Sequence, residues 1–225
     1  SPRFEFGEPF DALDLNCFIA NDYSACAGIA EALGDGDAAA DYRSRAEAMR
    51  ERIRSNLWDA EKAFYYDGKH DGTLIPVQSP CAFMTLFAGV ATGEQAEALV
   101  EALRDPKRFG TSLPSPSIAV SDPTYEKDMW RGPAWINYNY LIIRGLARYG
   151  YNKEAAHVAR RTLEEIARWY GEDGVIYEFY DAEAEISPHG LNRKGKRGGH
   201  WLHVVIPDYH WSAALYVALS REIES

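Results

Sequence analysis

A chain of 225 residues with 46% hydrophobic and 26% charged side chains is long enough to bury a substantial core and too apolar to be disordered. Its formal charge of −10 excludes a polyanionic partner such as nucleic acid, because neutralising phosphates needs clustered Lys and Arg. No window approaches the ~20 apolar residues of a membrane span, so no membrane partner is expected.

Ser1-Pro2-Arg3-Phe4-Glu5-Phe6-Gly7 has neither the basic start nor the apolar core of a signal peptide, and no initiator methionine. The chain is therefore expected to be cut from something longer. Helical patterns then arrive in pairs of unlike members. Residues 11–33 are apolar almost all round (Leu13, Leu15, Phe18, Ile19, Tyr23, Ile29, Leu33), which predicts burial on most sides. Gly34 follows as a C-terminal stop. Residues 37–57 carry one stripe, Tyr42, Ala46, Met49, Ile53 and Leu57, and predict a helix with one open face.

The alternation recurs. Phe64-Tyr65-Tyr66-Asp67 reads as a short strand, and residues 80–91 (Cys81, Phe83, Met84, Leu86, Phe87, Val90) as an enclosed helix. Thr92 with Gln95 forms a capping box opening the helix at 93–104. Residues 133–149 are apolar all round, whereas 153–170 show the stripe Ala155, Val158, Thr162 and Ile166. Ile176–Tyr180 reads as a strand, and 207–222 as a mostly apolar seventh helix. Pro133 and Pro207 suit first-turn positions. The connections at about 105–132 and 181–206 exceed ordinary loop lengths, which marks them as functional.

The predicted fold class is all-α: alternating inner and outer helical hairpins of a toroid, with short β-ribbons at one rim. Three and a half hairpins do not close a ring. An unclosed ring exposes apolar inner helices, so a homo-oligomer or a missing N-terminal segment is expected to cover them.

Chemistry concentrates in Asp128-Met129-Trp130-Arg131-Gly132-Pro133-Ala134-Trp135-Ile136-Asn137-Tyr138-Asn139-Tyr140 and in Tyr177-Glu178-Phe179-Tyr180-Asp181. Flat rings interleaved with forked hydrogen-bonding groups suit a sugar, with its apolar C–H faces and rim of hydroxyls. Trp130, Trp135, Trp201 and Trp211 are candidate stacking walls, though tryptophan is equally a core residue. Arg131 can bind hydroxyls in a fork or pair with Asp128 or another acid. Asn137 and Asn139 either orient the ligand or satisfy local backbone. Glu178 is either a strand glutamate in solvent or a carboxylate among aromatic rings.

These pieces, with Ser1-Pro2-Arg3, Asp14-Leu15-Asn16 and Asp208-Tyr209-His210-Trp211-Ser212-Ala213-Ala214-Leu215, resemble the trehalase-like and processing α-glucosidase glycoside hydrolases with an (α/α)6 barrel. The closest likeness is to the processing α-glucosidase family and its bacterial glucosylglycerate and mannosylglycerate hydrolase relatives. The resemblance implies a twelve-helix ring of which this chain is roughly the last seven, making residues 1–225 the C-terminal part of one catalytic domain. It implies inverting hydrolysis of a small-molecule glycoside such as an α-glucoside by two carboxyl groups about 6.5–9.5 Å apart. Glu178 is the base, and Tyr177, Tyr180, His200 and Tyr209 join the tryptophans, Arg131 and Asn137 as substrate-binding candidates. The family's acid is an Asp just upstream of the Ser-Pro-Arg element, so here it is expected before Ser1.

Asn192-Arg193-Lys194-Gly195-Lys196-Arg197-Gly198-Gly199-His200-Trp201 is basic and glycine-rich: either a lid whose cations hold an acidic aglycone such as glycerate, or a solvated loop. His200, His203 and His210 lack the helix or cysteine pair of a zinc site, and no phosphate-cradling loop is present, so no metal and no cofactor are expected. Structural calcium, found in the wider family, has no sequence-local loop here. Cys17, Cys26 and Cys81 show no metal-ligand spacing and suit a reducing, cytoplasmic compartment. Two rivals remain: a sugar isomerase or epimerase, which needs histidines facing the funnel, and a non-catalytic carbohydrate-binding or scaffold protein.

Overall fold

The computed structural model describes residues 1–5, 9–195 and 201–224, with residues 201, 223 and 224 described through the backbone alone. Leu13–Ala32 forms α1 and Gly36–Asn56 forms α2. Gly34, at φ +78°, turns the chain between them where a side chain would strain it. Gly34 N–H donates to Glu31 O and Asp35 N–H to Ala30 O, which satisfies carbonyls that the helix end leaves open. Asp35 then accepts Ala38 N–H and starts α2, so the two helices fold back as a hairpin.

Two antiparallel ribbons follow. β1 (Phe10–Asp11) pairs with β4 (Gly68–Lys69), and β2 (Trp58–Asp59) with β3 (Phe64–Tyr65), where Trp58 and Tyr65 face each other at 4.8 Å. Met84–Phe87 is α3 and Gly93–Arg104 is α4, opened by the Thr92–Gln95 capping box. Ile136–Arg148 is α5, Asn152–Asp173 α6 and His210–Glu224 α7. Helices α1, α3, α5 and α7 adjoin one another in that order and form the inner row. Outside it α2 backs α1, α6 backs α5, and α4 packs on β3. The alternating hairpins of an incomplete toroid are thus present.

Several expectations change. Residues 80–91 are not one helix but a 3-10 turn, Pro80–Phe83, followed by the single turn of α3. Val90 N–H reaches back to Thr85 O, while Arg148 and Arg50 take the open carbonyls of Phe87 and Ala88, so a distant guanidinium replaces further helix. The strand expected at 176–180 is an irregular extended segment. Tyr180 and Ala134 exchange both backbone bonds, but Glu178 N–H goes the other way, to Ile206 O. Pro133 and Pro207 precede their helices instead of opening them, because Ala134 and Tyr209 are already held in those extended contacts.

Expected all-round burial of α1 also fails: Leu15, Ile29 and Leu33 are exposed, Leu33 at 80%. The helix ends the inner row, with α3 on one flank. At the opposite end of the row α7 exposes Trp211 and Val217. Among the described residues no helix is long and apolar enough to cross a membrane.

The inner row is tight where α5 meets α3. A Cβ on Gly145 would lie 2.7 Å from Phe87 N and 2.8 Å from Leu86 Cβ, backbone and buried core that cannot swing aside. Gly145→Ala should therefore lower stability by about 1–3 kcal/mol despite alanine's better helix propensity. A chemical-denaturation midpoint equal to or above that of the parent would contradict this packing.

Candidate functional site

Arg3 enters the protein interior and brings two carboxylates together. Its Nε and Nη2 donate to Asp67 at 2.6 and 2.8 Å, and its Nη1 and Nη2 to Asp14 at 3.1 and 3.0 Å. Asp67 also accepts Leu13 N–H at 2.8 Å and so satisfies the first amide of α1 from a ribbon far along the chain. Tyr138 Oη donates to Asp14 Oδ2 at 2.9 Å. Cys81 Sγ lies 2.7 Å from Arg3 Nη1. Burial alone would raise the Asp14 carboxyl, but the hydrogen bonds and charge of Arg3, helped by Tyr138 and Cys81, hold it below its ordinary value. Burial pushes the Cys81 thiol and the Tyr138 phenol well up, so both keep their protons.

Above this cluster is a cavity of about 110 Å³ lined by Ser1, Arg3, Asp14, Ser117, Trp130 and Tyr138 among others. A charged floor against an indole wall has the two surfaces a sugar ring needs. Trp130 stacks on Trp135 at 3.9 Å and 5°, and Trp135 packs on Phe179 at 5.1 Å. That aromatic stack leads from the cavity to the Tyr177–Asp181 segment. Glu178 itself is not among the cavity's lining residues. It is 4% exposed and paired with Arg193, whose Nε donates to Oε2 at 2.7 Å and Nη2 to Oε1 at 3.5 Å. Asp181 holds the segment in place, accepting Lys127 Nζ at 2.6 Å and the amides of Glu183, Glu185 and Ile186. Met129, Lys194 and Asp208 adopt left-handed backbone at φ +33°, +57° and +53° in the three segments around this point.

The remaining candidates scatter. Trp135 is buried behind Trp130 and donates Nε1–H to Met129 O, so it backs the wall instead of forming it. Arg131 pairs with Glu5 and Glu126, not with Asp128. Tyr177 lies in the core, its hydroxyl between Asp173 and His189. Tyr180 is equally buried and accepts Tyr177 N–H on its hydroxyl. Asn137 is half-buried, and Asn139 ties α5 to α6 through Thr162. Tyr209 lies near Glu178, where burial first and then that carboxylate raise its phenol. Trp211 is 45% exposed on α7. His200, Lys196 and Arg197 lie outside the described residues, as does the Trp201 side chain. Arg193, expected as a lid cation, is 8% exposed against Glu178, while Lys194 is exposed. Among the described residues no three His, Cys, Asp or Glu side chains gather as a metal site.

Asp14, Asp67, Arg3, Cys81 and Tyr138 carry no role in the sequence reading. The available signal was a carboxylate at the start of an apolar helix, which cannot be buried without a cation.

A row of paired helices with short ribbons and a carboxylate-and-indole cavity is the architecture of the helical-toroid class. The chain belongs to the mannosylglycerate hydrolase MGH1-like glycoside hydrolase domain family, whose pattern matches residues 6–212. It is 33% identical over 188 residues to mannosylglycerate hydrolase MGH1 of Selaginella moellendorffii, covering 79% of this chain and 36% of that protein. It is 30% identical over 186 residues to a cytosolic neutral trehalase of Kluyveromyces lactis, covering 79% of this chain and 24% of that one. Its fold matches a GH63 mannosylglycerate hydrolase of Thermus thermophilus, solved in complex with glucose, with a TM-score of 0.69 and 24% identity over 92% of this chain and 45% of that chain. The chain thus spans about a quarter to under half of the proteins it resembles.

Asp14, with its lowered folded value, adds stability that is present above the unfolded carboxyl value of about 3.9 and is lost as pH falls through the folded value. Asp14→Asn should cost about 3 kcal/mol at neutral pH, because it leaves Arg3 undercompensated, and the difference from the parent should shrink in strong acid. Equal unfolding differences at pH 7 and pH 3 would remove Asp14 from that ion pair.

Proposed function

We propose that the protein is the base-bearing, C-terminal part of an inverting glycoside hydrolase acting on small α-glycosides, with mannosylglycerate the first substrate to test. The buried Glu178 carboxylate, whose chain neighbour Phe179 packs on the indole stack that reaches the cavity, carries this reading. In it, an acid upstream of Ser1 protonates the glycosidic oxygen. Glu178 takes a proton from a water that attacks the anomeric carbon from the opposite face, so the configuration inverts and one water is consumed per bond. Trp130 holds the glycone by stacking, above the Arg3–Asp14 floor of the cavity.

Support for the substrate class comes from the relatives. Two of them are a mannosylglycerate hydrolase and a trehalase, and the Thermus enzyme has also been solved with Tris and D-glycerate. A cytoplasmic location fits the three free thiols and the cytosolic trehalase. Isomerase chemistry is disfavoured. Among the described residues no histidine lines the cavity, and His157 and His189 are engaged with Arg160 and Tyr177.

In the full-length protein, Glu178→Gln should lower turnover of mannosylglycerate by about 10²–10⁴-fold with the fold intact. The parent should release the sugar first as the β-anomer, read by NMR. Retention of the α-anomer, or near-normal rates in the variant, would reject the mechanism.

A further inference from the structure

Glu178 and Arg193 come from different segments, and each is almost fully buried. A carboxylate withdrawn from water stays charged at tolerable cost only beside a cation, and a general base must be charged to accept a proton. The contact is also lopsided. Nε–H on Oε2 is a short, strong bond at 2.7 Å, whereas Nη2 to Oε1 at 3.5 Å is barely a bond. Among the described residues Oε2 is therefore engaged and Oε1 retains its accepting capacity. The guanidinium does not float. Nη1 donates to Leu202 O at 3.2 Å, and the backbone on either side of Arg193 is stitched to the segment bearing Trp130. Asn192 N–H donates to Lys127 O, Met129 N–H to Asn192 O, and Gly195 N–H to Asp128 Oδ2 at 2.9 Å.

We propose that Arg193 is the positioning residue of Glu178: it clamps Oε2 and leaves Oε1 as the atom that takes the water proton. This rests on Glu178 being the base. It departs from the expectation that Arg193 recognises an acidic aglycone, because its Nε is spent on the enzyme's own carboxylate and its Nη1 on Leu202 O. Through the Lys127–Met129 contacts it also ties the base to the aromatic wall, so that the two keep a fixed relation.

The test uses the full-length enzyme with mannosylglycerate and trehalose as substrates, comparing Arg193→Ala, Arg193→Lys and Glu178→Gln, with thermal unfolding of each. Arg193→Ala should lose about 100-fold in kcat, as expected for a base displaced by around an ångström, with KM little changed for either substrate. Added guanidinium at non-denaturing concentration should restore part of that kcat, and should do nothing for Glu178→Gln. Arg193→Lys should fall between, since an ammonium supplies charge without the fork. If folded Arg193→Ala keeps its kcat and loses affinity for mannosylglycerate alone, Arg193 binds the aglycone and the proposal is overturned. It is equally overturned if guanidinium raises the melting temperature without recovering turnover and Arg193→Lys is no faster than Arg193→Ala. Near-normal turnover in Glu178→Gln would instead reject Glu178 as base, whatever the Arg193 variants do.

Discussion

Arg3 is a positive charge placed out of reach of water, and four parts of the chain supply its surroundings. Asp14 comes from α1, Asp67 from the approach to β4, Cys81 from the 3-10 turn before α3, and Tyr138, through Asp14, from α5. Such a cluster is stable only when all its members are present, since removing one leaves an uncompensated buried ion. The N-terminal segment, the first ribbon and three helices of the inner row are therefore held in one register by a single electrostatic knot. The cavity sits on that knot, so the shape of its floor follows from charge pairing more than from apolar packing.

The second ion pair does for the long connections what the first does for the helices. Residues 174–209 contain two short 3-10 turns and no paired strand among those described, yet they hold Glu178 in one buried position. Isolated backbone bonds to Ala134 and Ile206, the Asp181 carboxylate and the Arg193 fork take the place of a ladder. Side chains thus fix a segment that regular secondary structure leaves free, which is the usual way a rigid scaffold presents functional groups on its loops.

Much of the scaffold could be read from the residues. The hairpins of α1–α2 and α5–α6 follow from apolar periodicity, and Gly34 and the Thr92–Gln95 box mark their own turns because capping is local. Residues 80–91 depart from a single helix because guanidiniums of Arg50 and Arg148, remote in sequence, complete the helix end. Two-fold alternation fails at 176–180, where contacts on both edges bury Tyr177, Glu178, Phe179 and Tyr180 alike. The site was half legible. Trp130 and Glu178 belong to recognisable segments, but Arg3 meets Asp67 across 64 positions, a pairing no local pattern encodes. Arg131 and Trp135 resemble ligand groups by type. Only three-dimensional surroundings reveal that Trp135 spends its N–H on Met129 O and that Arg131 pairs with Glu5 and Glu126.

Met129, Lys194 and Asp208 hold backbone angles that glycine would adopt without penalty. Non-glycine residues in such regions store roughly 1–3 kcal/mol each and persist only where the surroundings enforce them. A lineage selected purely for heat resistance would be drawn toward glycine at these three places. It would then surrender the stiffness with which they hold the segments around Trp130 and Glu178, so thermal hardening and a fixed local geometry pull in opposite directions.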